Sequence, residues 1–319
     1  MIYGSGIIPP AMRAQEKSQW PGHPPVASHD SGGGRKTQGL GVFGFVLIAY
    51  LFSWAVWISN YYVKGFIEID IGTFWIKAPR RLVIGMIGTF GPGIAALFAV
   101  GRESGTRGLR ELFRSLVPRS LKWIAAAVLA PTSLLIISFV CAGYSVGYFN
   151  SVSMEHWIRL VAVNVPLEPL WEEVGWRGYL LPKLQSKFRG LSAAMIVGAI
   201  WGSWHLPLHV TVVSPRIGQV TYFMCFLIYV LGFSIIFTWF YNKSLGNLGV
   251  LVALHASLNA TATALLGPAM AEHGLWPFVL FIIAVWAACL IVLFVAGTDL
   301  SCPRQPASLG SSPDGVKSS

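Results

Sequence analysis

The run Glu168-Pro-Leu-Trp-Glu172-Glu173-Val-Gly-Trp-Arg177-Gly178 places three carboxylates and one guanidinium in an otherwise apolar stretch. On a helix, Glu173 and Arg177 stand four apart on one face, where an ion pair offsets part of the cost of burying either charge. Glu172 is turned about 100 degrees away by the 3.6-residue period. Its neighbour on that helix is Glu168, a like charge four residues back, so it must find a cation, a polar group from another helix, or a proton. Any of these suits a carboxylate poised to act as a general base. Further on, Trp201-Gly-Ser-Trp-His205-Leu-Pro-Leu-His209 holds His205 well inside an apolar run. His255-Ala-Ser-Leu-Asn259 then puts an imidazole and a carboxamide on one helix face, and both donate the hydrogen bonds that a developing oxyanion needs. Each motif alone also fits a structural ion pair or polar packing between helices. All three in order, on separate stretches with little other charge, point to a site.

The elements that position these groups are membrane helices. The 319-residue chain is 54% hydrophobic and only 11% charged, with a mean hydropathy of +0.61. Charged residues make up about a quarter of a soluble chain, so a soluble enzyme, a disordered chain and a disulfide scaffold are excluded. Thr37 to Val63 carries no charge and exceeds the roughly 20 residues needed to cross a bilayer core. Leu82 to Gly101 is a second span, with Phe90-Gly-Pro-Gly93 permitting a kink or a close helix contact, and a third lies within Trp123 to Met154. The mixed segment 157–188 is the fourth. Gly190 to Val213, Ile217 to Tyr241, Leu245 to Leu266 and Leu275 to Val295 follow. The expected fold is therefore all-α, a polytopic transmembrane helical bundle of about eight spans around a polar intramembrane cavity. Residues 1–38 read as a disordered cytosolic arm, 39–297 as the membrane domain, and 298–319 as a disordered cytosolic tail. The first apolar run begins too late for a cleavable signal peptide, so the spans themselves are expected to direct membrane entry.

The net charge of +10 is explained by where the bases sit. With a cytosolic N-terminus, the inner loops collect sixteen of the 23 basic residues and the outer loops six, with Arg177 left inside a span. That obeys the positive-inside rule and removes the case for a nucleic-acid partner. Arg107, Arg110 and Arg114 alternate with Leu109, Leu112, Phe113 and Leu116 at helical spacing, so a short basic amphipathic helix on anionic headgroups is expected there. Cys141, Cys225 and Cys289 lie in apolar runs, Cys302 in a polar tail, and no CxxC occurs, which argues against disulfides and thiolate metal sites.

Glu-Glu-x-x-x-Arg, then aromatic-x-x-x-His, then His-x-x-x-Asn, between Glu172 and Asn259, resembles the CAAX prenyl protease and bacteriocin-processing family of intramembrane proteases, also called type II CAAX prenyl endopeptidase or Abi. Gly91-Pro-Gly-Ile-Ala-Ala96 is similar to a further segment of that family, and the resembling core runs from about Leu40 to Val295. The resemblance implies an integral membrane endopeptidase acting on a peptide or membrane protein, expected in the plasma membrane of a prokaryote, and the charge bias with eight spans puts both termini in the cytosol. The resemblance also implies that Glu172 and His205 activate water, that His255 and Asn259 hold the oxyanion, and that Glu173 and Arg177 support the site. Trp201 departs from the phenylalanine usual in the family, which puts the shape of the pocket in question. Glu172, His205 and His255 also amount to a His2Glu set like that of soluble zinc proteases. Zinc is left open, and the reading leans to a metal-free site because Asn259 suits an oxyanion donor better than a zinc ligand. Two rivals accompany this reading: a proton-coupled transporter using the same carboxylates and histidines, and a non-catalytic immunity or interaction protein of the same fold.

Overall fold

A computed structural model describes residues 40–60, 62, 66–70, 75–144, 153–212 and 218–302. The expected cytosolic arm, 1–38, and residues 303–319 of the expected tail lie outside the described residues. Helix α1 spans Gly41–Asn60. An antiparallel hairpin follows, β1 (Phe66–Asp70) against β2 (Trp75–Pro79), with Phe66 opposite Pro79 and Asp70 opposite Trp75. Then come α2 (Arg80–Gly88), α3 (Gly91–Ser115), α4 (Leu121–Cys141) and α5 (Met154–Leu167). Helix α6 (Pro169–Gly175) runs through a π-helical turn, Trp176–Leu180, into α7 (Leu181–Gln185). The chain continues through α8 (Gly190–Trp204), α9 (Leu206–Val212) and α10 (Gln219–Lys243). Helix α11 (Leu248–Thr261) enters a second π turn, Ala262–Leu266, before α12 (Gly267–His273) and α13 (Trp276–Ala296).

Among the described residues, six helical stretches are long and apolar enough to cross a membrane: Gly41–Asn60, Ile84–Ser115, Leu121–Cys141, Gln219–Lys243, Leu248–His273 and Trp276–Ala296. The helical bundle is as expected, but the count is six rather than eight. The two stretches that drop out are the mixed segment and its successor. Segment 157–188 breaks at Glu168, whose backbone (φ −126°, ψ −63°) is not helical, and then widens into a π turn. Helix α8 has 15 residues, about 22 Å at 1.5 Å per residue, short of a bilayer core of about 30 Å. It stops at His205, and Pro207 opens the short helix that follows. The helices too short or too interrupted to count as spans carry Glu168, Glu172, Glu173, Arg177 and His205, whereas His255 and Asn259 sit on the counted span Leu248–His273.

Prolines account for both π turns. The Leu181 amide reaches back five residues to the Trp176 carbonyl just ahead of Pro182, and the Gly267 amide reaches the Ala262 carbonyl just ahead of Pro268. A proline inside a helix lacks an N–H and its ring crowds the carbonyl four residues back, so the turn before it opens. One such turn follows Glu172 and Glu173, and the other follows His255 and Asn259.

Helix α11 is the centre of the bundle, packed by α4, α5, α6 and α10. Helix α3 lies nearly backbone to backbone with α6. A Cβ on Gly175 would fall 2.4 Å from Pro92 Cβ, and one on Gly93 would fall 2.7 Å from the Trp171 ring. The Phe90-Gly-Pro-Gly93 segment thus serves as a close helix contact, and it also starts α3, with Pro92 in the first turn. At Gly105 a positive φ of 59° interrupts α3. Beyond it Gly108 and Leu112 face inward while Arg107, Arg110 and Arg114 are exposed, as the amphipathic pattern requires, although Phe113 is exposed with them. Residues 298–302 pack onto the start of α8: the Leu191 amide donates to the Thr298 carbonyl at 2.8 Å, and Leu300 is fully buried.

Candidate active site

Glu172 and Glu173 sit in the first two turns of α6, which starts at Pro169, a residue suited to a helix N-terminus because its missing amide hydrogen would have no helical partner. Arg177, in the π turn, donates from Nη1 to Glu173 Oε1 at 2.9 Å, and neither side chain reaches solvent. The i,i+4 pair is as the spacing requires. The same Glu173 oxygen also meets His255 Nδ1, at 2.8 Å, so one carboxylate joins α6 to the central helix α11. The Arg177 guanidinium carbon lies 4.3 Å from the centre of the Trp201 ring and 4.4 Å from that of Phe237, contacts that attract a cation to the ring faces. Among the described residues, Glu173 Oε2 and Arg177 Nε and Nη2 are buried without a hydrogen bond.

Glu172 is 3% exposed and turns away from that pair, toward α8. The Trp201 indole N–H donates to its Oε2 at 2.6 Å, and Oε1 is not among the buried oxygens that lack a partner. The spacing left Glu172 without a partner on its own helix, and the partner comes from another helix as an aromatic N–H. Trp201 is therefore more than the aromatic wall that opens its motif: its N–H holds one acid, its ring meets the Arg177 cation, and its carbonyl accepts from His205 Nδ1 at 2.8 Å. That last bond has a local cause. The His205 amide turns to the Gly202 carbonyl, so the Trp201 carbonyl is left over at the end of α8, and the imidazole satisfies it. A carbonyl only accepts, so Nδ1 carries the proton there and Nε2 of a neutral His205 presents a lone pair.

Both imidazole rings flank the Trp201 indole, His205 with centroids 6.1 Å apart and His255 at 5.4 Å. Asn259, one turn beyond His255 on α11, donates from Nδ2 to Glu168 Oε2 at 3.0 Å. The structure thus gathers Glu172, Glu173, Arg177, His205 and His255 around Trp201, and ties Asn259 to the acid that precedes the pair. No hydrogen bond joins Glu172 to His205 among the described residues. His209 lies one turn further along α9, buried against Phe226 with ring centroids 4.3 Å apart. For zinc, the donor set does not converge: among the described residues no three His, Cys, Asp or Glu side chains come together as metal ligands, Glu172, His205 and His255 included. The partnerships absent from the sequence reading are Trp201 with Glu172, His255 with Glu173 and Glu168 with Asn259. The signals for the first and last were the indole at the head of the second motif and the acid four residues before Glu172.

A buried acid–histidine cluster on broken helices inside a bundle of apolar spans defines an integral membrane protein with a polar interior site. Residues 154–261 match the family model described as Type II CAAX prenyl endopeptidase Rce1-like. The chain is also similar to the curated "CAAX prenyl protease 2" of Methanococcus maripaludis, 30% identical over 97 residues, which is 29% of this chain and 36% of that protein. The chain therefore matches little more than a third of the relative's length. The family match covers α5 to α11, the part that holds Glu168, Glu172, Glu173, Arg177, Trp201, His205, His255 and Asn259.

Proposed function

We propose that this protein is an intramembrane endopeptidase that hydrolyses a peptide bond in a membrane-associated protein or peptide. The observation that carries the reading is Glu172, held through one oxygen by Trp201, whose indole is flanked by two histidines with their Nδ1 atoms already bonded to acceptors. In the proposed reaction the lone pair of His205 Nε2 orients water and the open oxygen of Glu172 takes a proton from it. The hydroxide so formed adds to the scissile carbonyl. The same carboxyl returns the proton to the leaving nitrogen as the C–N bond breaks.

The two histidines are suited to different tasks. His205 is bound to a neutral carbonyl, which fixes the tautomer with a bare Nε2. His255 is bound to a carboxylate, which supports an imidazolium that keeps Nδ1–H on Glu173 and offers Nε2–H to the oxyanion, with Asn259 as the second donor. Glu173 then balances His255 on one side and Arg177 on the other. The apolar shell of α8, α10 and α11 keeps bulk water away, which strengthens these interactions.

The name of the Methanococcus maripaludis relative, "CAAX prenyl protease 2", makes a prenylated CAAX peptide the first substrate to try. Purified protein in liposomes is expected to cleave either farnesylated or unmodified CAAX peptides, read by mass spectrometry. Should neither be cut, terminal proteomics of cells carrying wild-type or Glu172→Gln protein is expected to reveal the processed chain. No cleavage in either experiment overturns the reading.

The Trp201 N–H carries an expectation of its own. A hydrogen bond to a charged acceptor is worth about 1.5–3 kcal/mol, so Trp201→Phe is expected to lower kcat roughly tenfold to a hundredfold. An isosteric benzothienyl side chain at 201, which has the shape of indole and no N–H, is expected to show the same loss of kcat although it fills the same space. Full activity with that side chain would mean that Trp201 serves by shape alone.

A further inference from the structure

Glu168 is a carboxylate that the proposed reaction does not use, and it sits where a membrane helix breaks. Its backbone is the joint between α5 and α6, and its side chain crosses to α11 to accept from Asn259 Nδ2 at 3.0 Å. The joint is braced on both sides. The Thr89 hydroxyl donates to the Leu167 carbonyl at 2.9 Å, and the Trp171 indole donates to the Pro166 carbonyl at 3.1 Å. On α11, one half turn past Asn259, Thr261 Oγ1 bonds the Thr132 hydroxyl at 2.6 Å and accepts from the Trp157 indole at 3.3 Å. The Glu168–Asn259 bond therefore spans two elements whose separation other contacts already set.

A carboxamide has two ends of similar shape, and only one of them donates. Turned by 180 degrees about its last torsion, Asn259 would present an oxygen where a donor is wanted. A carboxylate accepts and does not donate, so Glu168 selects the orientation with Nδ2 toward itself. The second N–H of the same planar nitrogen is then fixed in direction, at about 120 degrees from the first by the sp2 geometry of the amide. Held this way, Asn259 enters the reaction with its donor aimed and no reorientation to make as charge develops.

We propose that Glu168 is a positioning residue for the reaction, acting through Asn259 by holding the carboxamide with one N–H free for the oxyanion. The assignment rests on the endopeptidase reading and on Asn259 as an oxyanion donor. It requires an ionised Glu168, which accepts from Asn259 and cannot donate, and no contact between Glu168 and the substrate.

The test is a double-mutant cycle on the full-length protein in liposomes, with kcat and KM measured on one cleaved peptide. Glu168→Ala is expected to lower kcat roughly tenfold with KM within about twofold, because the loss falls on the transition state alone. Glu168→Gln, nearly isosteric, is expected to lose less, since its amide satisfies Asn259 in either orientation and selects neither. In an Asn259→Ala background, either Glu168 substitution is expected to change kcat by less than about twofold. A loss in that background as large as in the wild type overturns the proposal, because Glu168 would then act independently of Asn259. Full activity of Glu168→Ala overturns it as well, as does full activity of Asn259→Ala alone. Absence of cleavage by the wild type removes the endopeptidase reading itself, an outcome distinct from all of these. If Glu168→Ala fails to fold, the Glu168→Gln arm of the cycle decides by the same criterion.

Discussion

Glu172→Gln is expected to reduce peptide hydrolysis by about a thousandfold or more while leaving the fold intact. General acid–base catalysis by one positioned group contributes about 10²–10⁴ in rate, and here a single carboxyl serves both proton transfers. Gln keeps the volume of Glu and keeps an oxygen to accept from the Trp201 N–H, so the contact between α6 and α8 persists. What it loses is the capacity to take a proton from water. The expected signature is a collapse of kcat, an unchanged melting temperature in detergent, and retained affinity for an uncleaved substrate analogue. His205→Ala is expected to cost less, roughly a hundredfold, because Glu172 would still accept the proton from a less well oriented water. The order of these two losses matters. If His205→Ala were inert and Glu172→Gln only mildly impaired, the base would be the imidazole, and Glu172 would be reduced to a partner for Trp201.

Local spacing explains which of these contacts were legible in the sequence. Glu173 with Arg177 is an i,i+4 pair, so its geometry follows from helix periodicity. Phe90-Gly-Pro-Gly93 was legible as a close approach for a similar reason, since small residues beside a proline mark a kink or a close contact, whereas its place at the start of α3 came from the structure. Trp201 with Glu172, His255 with Glu173, and Asn259 with Glu168 join residues 29, 82 and 91 positions apart, and nothing in the spacing within a helix encodes such pairings. The ordered motifs announced that these side chains belong together without saying who holds whom. The span count failed where composition and geometry part company. Segments 157–188 and 190–213 are apolar enough to be counted, but Glu168, the π turn before Pro182 and the stop at His205 break them into shorter helices. The hairpin 66–79 escaped because Phe66-Ile-Glu-Ile-Asp70 is too short and too polar to register in a search for spans of about 20 apolar residues.

Arg177→Met is expected to be the most destabilising single substitution at the site, by about 3–5 kcal/mol in reversible unfolding from mixed micelles. The guanidinium is fully buried between α6, Trp201 and Phe237, and its removal leaves the Glu173 carboxylate, among the described residues, with the hydrogen bond to His255 alone. Arg177→Lys is expected to fall between, since an ammonium keeps the charge but loses the planar contact with the rings. Glu173→Gln alone should also destabilise, by leaving the cation without its counter-charge. The double variant Glu173→Gln/Arg177→Met is then expected to be more stable than either single one, because removing both partners leaves neither charge uncompensated. Its activity should not recover with its stability. A neutral amide at 173 no longer supports an imidazolium at His255, so the oxyanion would lose a donor even in a well-folded protein. Recovery of stability without activity would separate the two tasks of this ion pair, holding α6 in the bundle and setting the charge on His255. Equal recovery of both would confine Glu173 and Arg177 to the first.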